Sequence, residues 1–143
     1  MPYQFLEDIA VADIAFDAWG RDLGELFAAA ADATTNVMID NLEAIEPRES
    51  RGITLENEHL DMLLFDLLNE LIYFKDCDQL LLRVPPPAIE HAGGRYRLSA
   101  TARGERLDPA RHRQRADVKA VTLHGFKVEQ SGGQWRCHVL LDI

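Results

Sequence analysis

The chain closes on Val139-Leu140-Leu141-Asp142-Ile143, which sets the Asp142 carboxylate one residue from the α-carboxyl of Ile143. Two oxygen anions on adjacent residues repel each other in a folded state. A cation between them reverses the sign of that interaction, and hard cations such as Ca²⁺ or Mg²⁺ take all-oxygen ligand sets of this kind. Further carboxylates stand near the other end. In residues 11–19, Ala12, Ile14, Phe16 and Ala18 alternate with Val11, Asp13, Ala15, Asp17 and Trp19. That period of two predicts a strand with Asp13 and Asp17 on the face away from the core. An exposed strand Asp is usually only solvated, so Asp13 alone says little.

Other groups capable of chemistry lie in the second half. Residues 104–115, Gly-Glu-Arg-Leu-Asp-Pro-Ala-Arg-His-Arg-Gln-Arg, read as a polar, basic loop carrying Glu105 and His112. Loops concentrate functional residues, and plain solvated surface is an equal alternative for both. Arg103, Arg106, Arg111, Arg113 and Arg115 form the basic cluster of an acidic chain, suited to a nucleotide, to RNA or to an acidic protein surface, or simply to solubility. His124 falls in a strand segment, where a histidine is more often structural than catalytic. Cys137 has Arg136 and His138 beside it, and a neighbouring cation lowers a thiol pKa. On a strand, however, both neighbours point to the opposite face, so Cys137 and Cys77 read as reduced packing residues.

These groups need elements to position them. Asp22, with Glu25 three residues on, approximates a capping box and opens a helix to Ile39 or Asp40. Its buried stripe is Leu23, Leu26, Phe27, Ala30, Val37 and Met38. A short strand is predicted over 51–56. Asn57 is a cap for a second helix, with Glu58 and Asp61 in its first turn. That helix carries the wide stripe Leu60, Leu63, Leu64, Leu67, Leu68, Leu71 and Ile72, and is expected to be central. From Gln79 the pattern turns to strands: 80–84, broken by Pro85, Pro86 and Pro87, then 88–91 and 95–103 around the turn His91-Ala-Gly-Gly-Arg95. Order resumes over 116–129, and Gln130-Ser-Gly-Gly133 turns into a last strand, 135–143. Two helices followed by hairpin strands predict a single α+β domain over 1–143 with a largely antiparallel sheet and two main helices.

Composition narrows the function classes. The net charge is −9, from 15 basic and 24 acidic residues. That opposes sequence-independent nucleic-acid binding, in which phosphate neutralisation supplies most of the affinity. Two distant cysteines give no zinc signature. The N-terminus lacks signal-peptide character and no apolar run approaches a membrane span, so a cytoplasmic location without a membrane partner is expected.

Five segments, in order, then carry a family likeness over essentially the whole chain. Leu6-Glu7-Asp8, Ala12-Asp13-Ile14, Ala18-Trp19-Gly20 and Leu23-x-Glu25-Leu26-Phe27 resemble the opening of the archease family. Leu68-Asn69-Glu70-Leu71-Ile72-Tyr73 in the second helix is similar to the family too, Gly104-Glu105…Leu107-Asp108-Pro109…Arg111-His112 resembles its characteristic loop, and Val118-Lys119-Ala120-Val121-Thr122-x-His124 and the terminal Val139–Ile143 match as well. The resemblance implies an archease-like fold and an accessory role, not an enzyme. Archeases serve the GTP-dependent tRNA-splicing RNA ligase, which joins 2′,3′-cyclic phosphate or 3′-phosphate ends to 5′-hydroxyl ends. They promote its guanylylation and multiple turnover, so contact with GTP, GMP or RNA is expected through the ligase. The resemblance also implies a divalent metal, Ca²⁺ ahead of Mg²⁺ or Mn²⁺, held by Asp13, Asp142 and Ile143. It adds Lys119, as a phosphate contact, and His124 to the secondary candidates. One departure is plain: the family's His-Thr-Ala-Asp run is replaced by Ile9-Ala10-Val11-Ala12-Asp13, so that either Glu7 or Asp8 stands in for the histidine or the site is a variant one. The alternatives are a chaperone-like binding module without nucleotide chemistry and, more weakly, a free-standing metal-dependent hydrolase.

Overall fold

The computed structural model describes residues 2–6 and 13–143. Glu7, Asp8 and the altered run before Asp13 therefore lie outside the described residues. Ten main elements follow in order: β1 (Tyr3–Leu6), β2 (Asp13–Gly20), α1 (Leu23–Met38), β3 (Glu49–Asn57), α2 (Leu60–Asp78), β4 (Leu80–Arg83), β5 (Ala88–Ala92), β6 (Arg95–Arg106), β7 (Ala120–Ser131) and β8 (Gln134–Asp142). The expected α+β class with antiparallel pairing and two main helices is what forms, though the strands divide into two sheets.

The first sheet has the order β1-β2-β8-β7, so the final strand lies at its centre between β2 and β7. The second runs β3-β6-β4, with β5 also paired to β6. Here the three prolines find their explanation. β4 and β5 pair with separate stretches of β6, residues 103–106 and 95–99. Pro85–Pro87 occupy the gap between them, where no ladder hydrogen bond is asked of them. Both helices touch both sheets. Leu63, Leu64, Leu67, Leu68, Leu71 and Ile72 of α2 are buried in one core with Phe16, Leu26, Phe27, Leu98 and Leu141.

Local signals largely hold. Asp22 accepts a bond from Glu25 N at 2.8 Å and caps α1. Glu25 reaches back to the amide and guanidinium of Arg21 rather than to Asp22, so the box is only half formed. The Asn57 cap is a misreading. Asn57 is the last residue of β3, and α2 starts at Leu60 after His59, which makes no side-chain cap. Asn57 instead accepts from His59 N at 3.0 Å and donates to Asp66 at 3.1 Å, an Asx turn joining strand to helix.

The segment 104–115 is also corrected. β6 runs on to Arg106, so Glu105 is a strand residue and not a loop residue. Gly104 makes this continuation workable: any Cβ there would collide with the Leu81 carbonyl of β4.

Candidate functional site

The register of β2 on β8 sets Asp13 directly opposite Asp142, followed by Ile14 opposite Leu141 and so on to Gly20 opposite Trp135. Directly opposite residues of an antiparallel pair present their Cβ atoms on one face about 5 Å apart. Two carboxylates there repel, and such a pair is destabilising unless a positive charge joins it. On the other flank Asp142 lies opposite Ala120 of β7. The Asp142 carbonyl accepts a bond from Lys119 N at 2.8 Å. Asp13 and Asp142 are both partly exposed. Ile143 is half-buried and packs against the core, so the chain end is held in place.

Among the described residues no three His, Cys, Asp or Glu side chains gather into a metal cluster. The resemblance would place a cation here on Asp13, Asp142 and the α-carboxylate of Ile143, an all-oxygen donor set of the kind a hard cation such as Ca²⁺ takes.

The secondary candidates separate into two places. Lys119 and His124 are exposed beside this row of β7. His124 lies within the irregular stretch between Thr122 and Lys127, where the β7–β8 register shifts, and its amide bonds to Thr122 Oγ1 at 3.3 Å. Gly125, at φ +66°, makes that irregularity.

Glu105 and His112 belong together and elsewhere. Both are buried, at 3% and 1% exposure, which removes the solvated-surface reading for them. By strand alternation Glu105 points away from the row Leu98, Ala100 and Ala102, and the returning segment 107–115 covers it. Its Oε2 accepts from Glu46 N at 2.6 Å, with Arg48 Nε 3.9 Å away. Its Oε1 is ion-paired to Arg111. His112 Nδ1 accepts from Asp108 N at 2.8 Å, which puts the proton of the neutral ring on Nε2. Nε2 is 3.3 Å from Glu105 Oε1 but off the line of a hydrogen bond, and it is the one buried side-chain polar atom without such a partner among the described residues. The carboxylate of Glu46 is itself held below the usual range by its bond to Arg48.

Four of the five arginines are engaged by the chain itself, while Arg103 is exposed on β6 opposite Arg83 and joins no ion pair among the described residues. Arg106 faces Glu49, Arg111 faces Glu105 and Asp108, and Arg113 faces Asp40. Arg115 bonds the Asn36 carbonyl and lies over the Phe5 ring. Arg48 and Glu46, which complete the Glu105 cluster, were missed from sequence because they sit in a connection whose composition says only that it is polar.

Both cysteines are free; Cys137 is buried as a packing residue should be, but Cys77 lies exposed on α2, which corrects the packing reading for it. Burial pushes the Cys137 thiol up to about 12. Arg136 stacks on Trp19 and His138 bonds Asp17 at 2.8 Å, both on the opposite strand face, as alternation requires. No helix among the described residues is long and apolar enough to cross a membrane.

The model of the Archease protein family matches residues 3–143. The chain is 37% identical over 133 residues to protein archease of Pyrococcus abyssi, covering 92% of this chain and 93% of that one. It is 34% identical over 144 residues to that of Methanopyrus kandleri, covering all of both. Among solved structures it is similar to protein 1598 of Methanobacterium thermoautotrophicum, with a TM-score of 0.85 at 31% identity over 99% of each chain. It also shares its fold with a Thermotoga maritima protein described as an archease and possible chaperone, with a TM-score of 0.64 at 21% identity over 98% of each chain. The chain belongs to the archease family.

Proposed function

We propose that this chain is a cytoplasmic activator of the tRNA-splicing RNA ligase that carries a divalent cation, Ca²⁺ first, on Asp13, Asp142 and the α-carboxylate of Ile143. The observation that carries the reading is the register: carboxylates from the two ends of the sequence stand opposite each other on neighbouring strands. Nothing among the described residues neutralises them by ion pairing, since neither Asp13 nor Asp142 joins a salt bridge there. Like charges so placed cost stability, and a bound cation turns that cost into an attraction. A cation held there supplies positive charge for binding and orienting phosphate oxygens.

The chain's own residues have defined parts in this reading. Lys119 fixes the Asp142 backbone through its amide, and its exposed ammonium is available to a phosphate. His124, also exposed, lies within β7, the strand that Lys119 leads into, as a second polar contact. The ligase, with GTP or GMP and RNA bound to it, is the partner. Glu105 and His112 take no part in binding the cation; they hold the covering segment down.

The test is guanylylation. Purified ligase with GTP and a divalent ion should form its guanylylate faster with this protein than alone, and Asp142→Ala should remove the acceleration. Equal stimulation by Asp142→Ala would favour a chaperone-like binding role without nucleotide chemistry.

A further inference from the structure

Lys75 stands in the last turn of α2, its side chain only 13% exposed. An ammonium has three N–H donors, and here three acceptors meet it: Asp117 Oδ1 at 2.6 Å, Asp76 Oδ1 at 2.6 Å and the Val118 carbonyl at 2.8 Å. Two of the three lie in the segment that leads into β7. Val118 is fully buried. The next residue, Lys119, donates its amide to the Asp142 carbonyl at 2.8 Å, and Ala120 then pairs with Asp142. A helix end is thus connected to the Asp142 backbone through one side chain, one carbonyl and one amide.

From this chain of contacts we infer that Lys75 is a positioning residue for the Asp13–Asp142 site, acting through Val118 and Lys119. The inference rests on the cation reading given above and names what holds one of its ligands still. Burial alone disfavours the charged form of Lys75, but the two carboxylates outweigh it and raise its pKa, so the ammonium keeps all three donors at neutral pH. Asp76 and Asp117 hold the charge in place. Only the bond to the Val118 carbonyl acts directly on the peptide that carries the Lys119 amide. Groups that orient metal ligands without touching the metal typically change affinity when removed, which separates this role from simple stabilisation of the α2 end.

The experiment is calorimetric titration with CaCl₂ of wild type, Lys75→Met, Asp76→Asn and Asp142→Asn, each melted in parallel. Asp142→Asn should abolish uptake. Lys75→Met should weaken Ca²⁺ binding about tenfold, with Asp76→Asn changing it by less than about twofold. Lys75→Met with wild-type affinity and a lowered melting temperature overturns the inference and leaves Lys75 a purely structural residue. Wild type that takes up no Ca²⁺ overturns the cation reading instead. In that case amide exchange at Lys119 in cation-free protein reads the positioning alone: faster exchange in Lys75→Met but not in Asp76→Asn upholds it, and equal exchange in all three refutes it.

Discussion

Two groups of carboxylates in this molecule have been treated in opposite ways. Glu105 is buried and answered by a backbone amide and two arginines, with the His112 ring beside it. Asp13 and Asp142 stand opposite each other at the partly exposed end of β2 and β8, with each other as neighbours. The protein completes the first arrangement from its own groups, because a buried carboxylate without partners would be too costly to keep. It leaves the second incomplete, because solvent access makes an unanswered pair tolerable. An arrangement completed internally is part of the structure; one left incomplete in water can accept something from outside.

The first way to break this comparison is at Glu105. Replacing it by Ala leaves the Glu46 amide unmatched and Arg111 with Asp108 alone, and should lower unfolding free energy by about 3 kcal/mol. Denaturant titration measures it, and Ca²⁺ uptake by the folded variant should be unchanged. A loss of Ca²⁺ affinity as large as that in Asp142→Asn would join the two regions that the comparison separates.

The second test uses the other face of β8, where Cys137 is buried while Asp142 is not. Its folded pKa, pushed up to about 12 from 9.0, lies above the unfolded value. Its contribution to stability is therefore complete below pH 9 and is lost as pH rises through the folded pKa. Between pH 9 and pH 11 wild type should lose about 2 kcal/mol more than Cys137→Ala does. Parallel slopes for the two proteins would mean the thiol is not desolvated as described.

The third effect is smaller and opposite in sign. Without added cation, Asp142→Asn removes the cross-strand repulsion and should leave stability unchanged or raise it by up to about 1 kcal/mol. A clear destabilisation in the cation-free variant would show that Asp142 is answered by a partner, as Glu105 is.

The sequence displayed these two regions unequally. α2 was plain because its leucine and isoleucine spacing is local, and the two helices and hairpins gave the fold class. Asp142 beside a chain end was visible as an arrangement of charge. That Asp13 would be its cross-strand neighbour depended on β2 pairing with β8 across the length of the chain, which local periodicity does not encode; the family likeness supplied that link. Glu105 was misread as a loop residue because 104–115 is polar throughout. Its burial depends on Glu46, Arg48 and Arg111 converging from separate segments, and no window of sequence contains them together. Asn57 misled for the opposite reason: its type suits a helix cap, but the strand before it ran longer and claimed its backbone.

The proposed divalent cation would complete the pair that the chain leaves incomplete, Asp13 with Asp142. The most direct measurement is the melting temperature of wild type and Asp142→Asn, each in EDTA and in excess Ca²⁺. Wild type should melt higher in Ca²⁺, by the amount that binding to the folded state alone requires, and Asp142→Asn should melt at one temperature in both. A wild-type melting temperature indifferent to Ca²⁺, or an equal rise in the variant, would contradict that proposal.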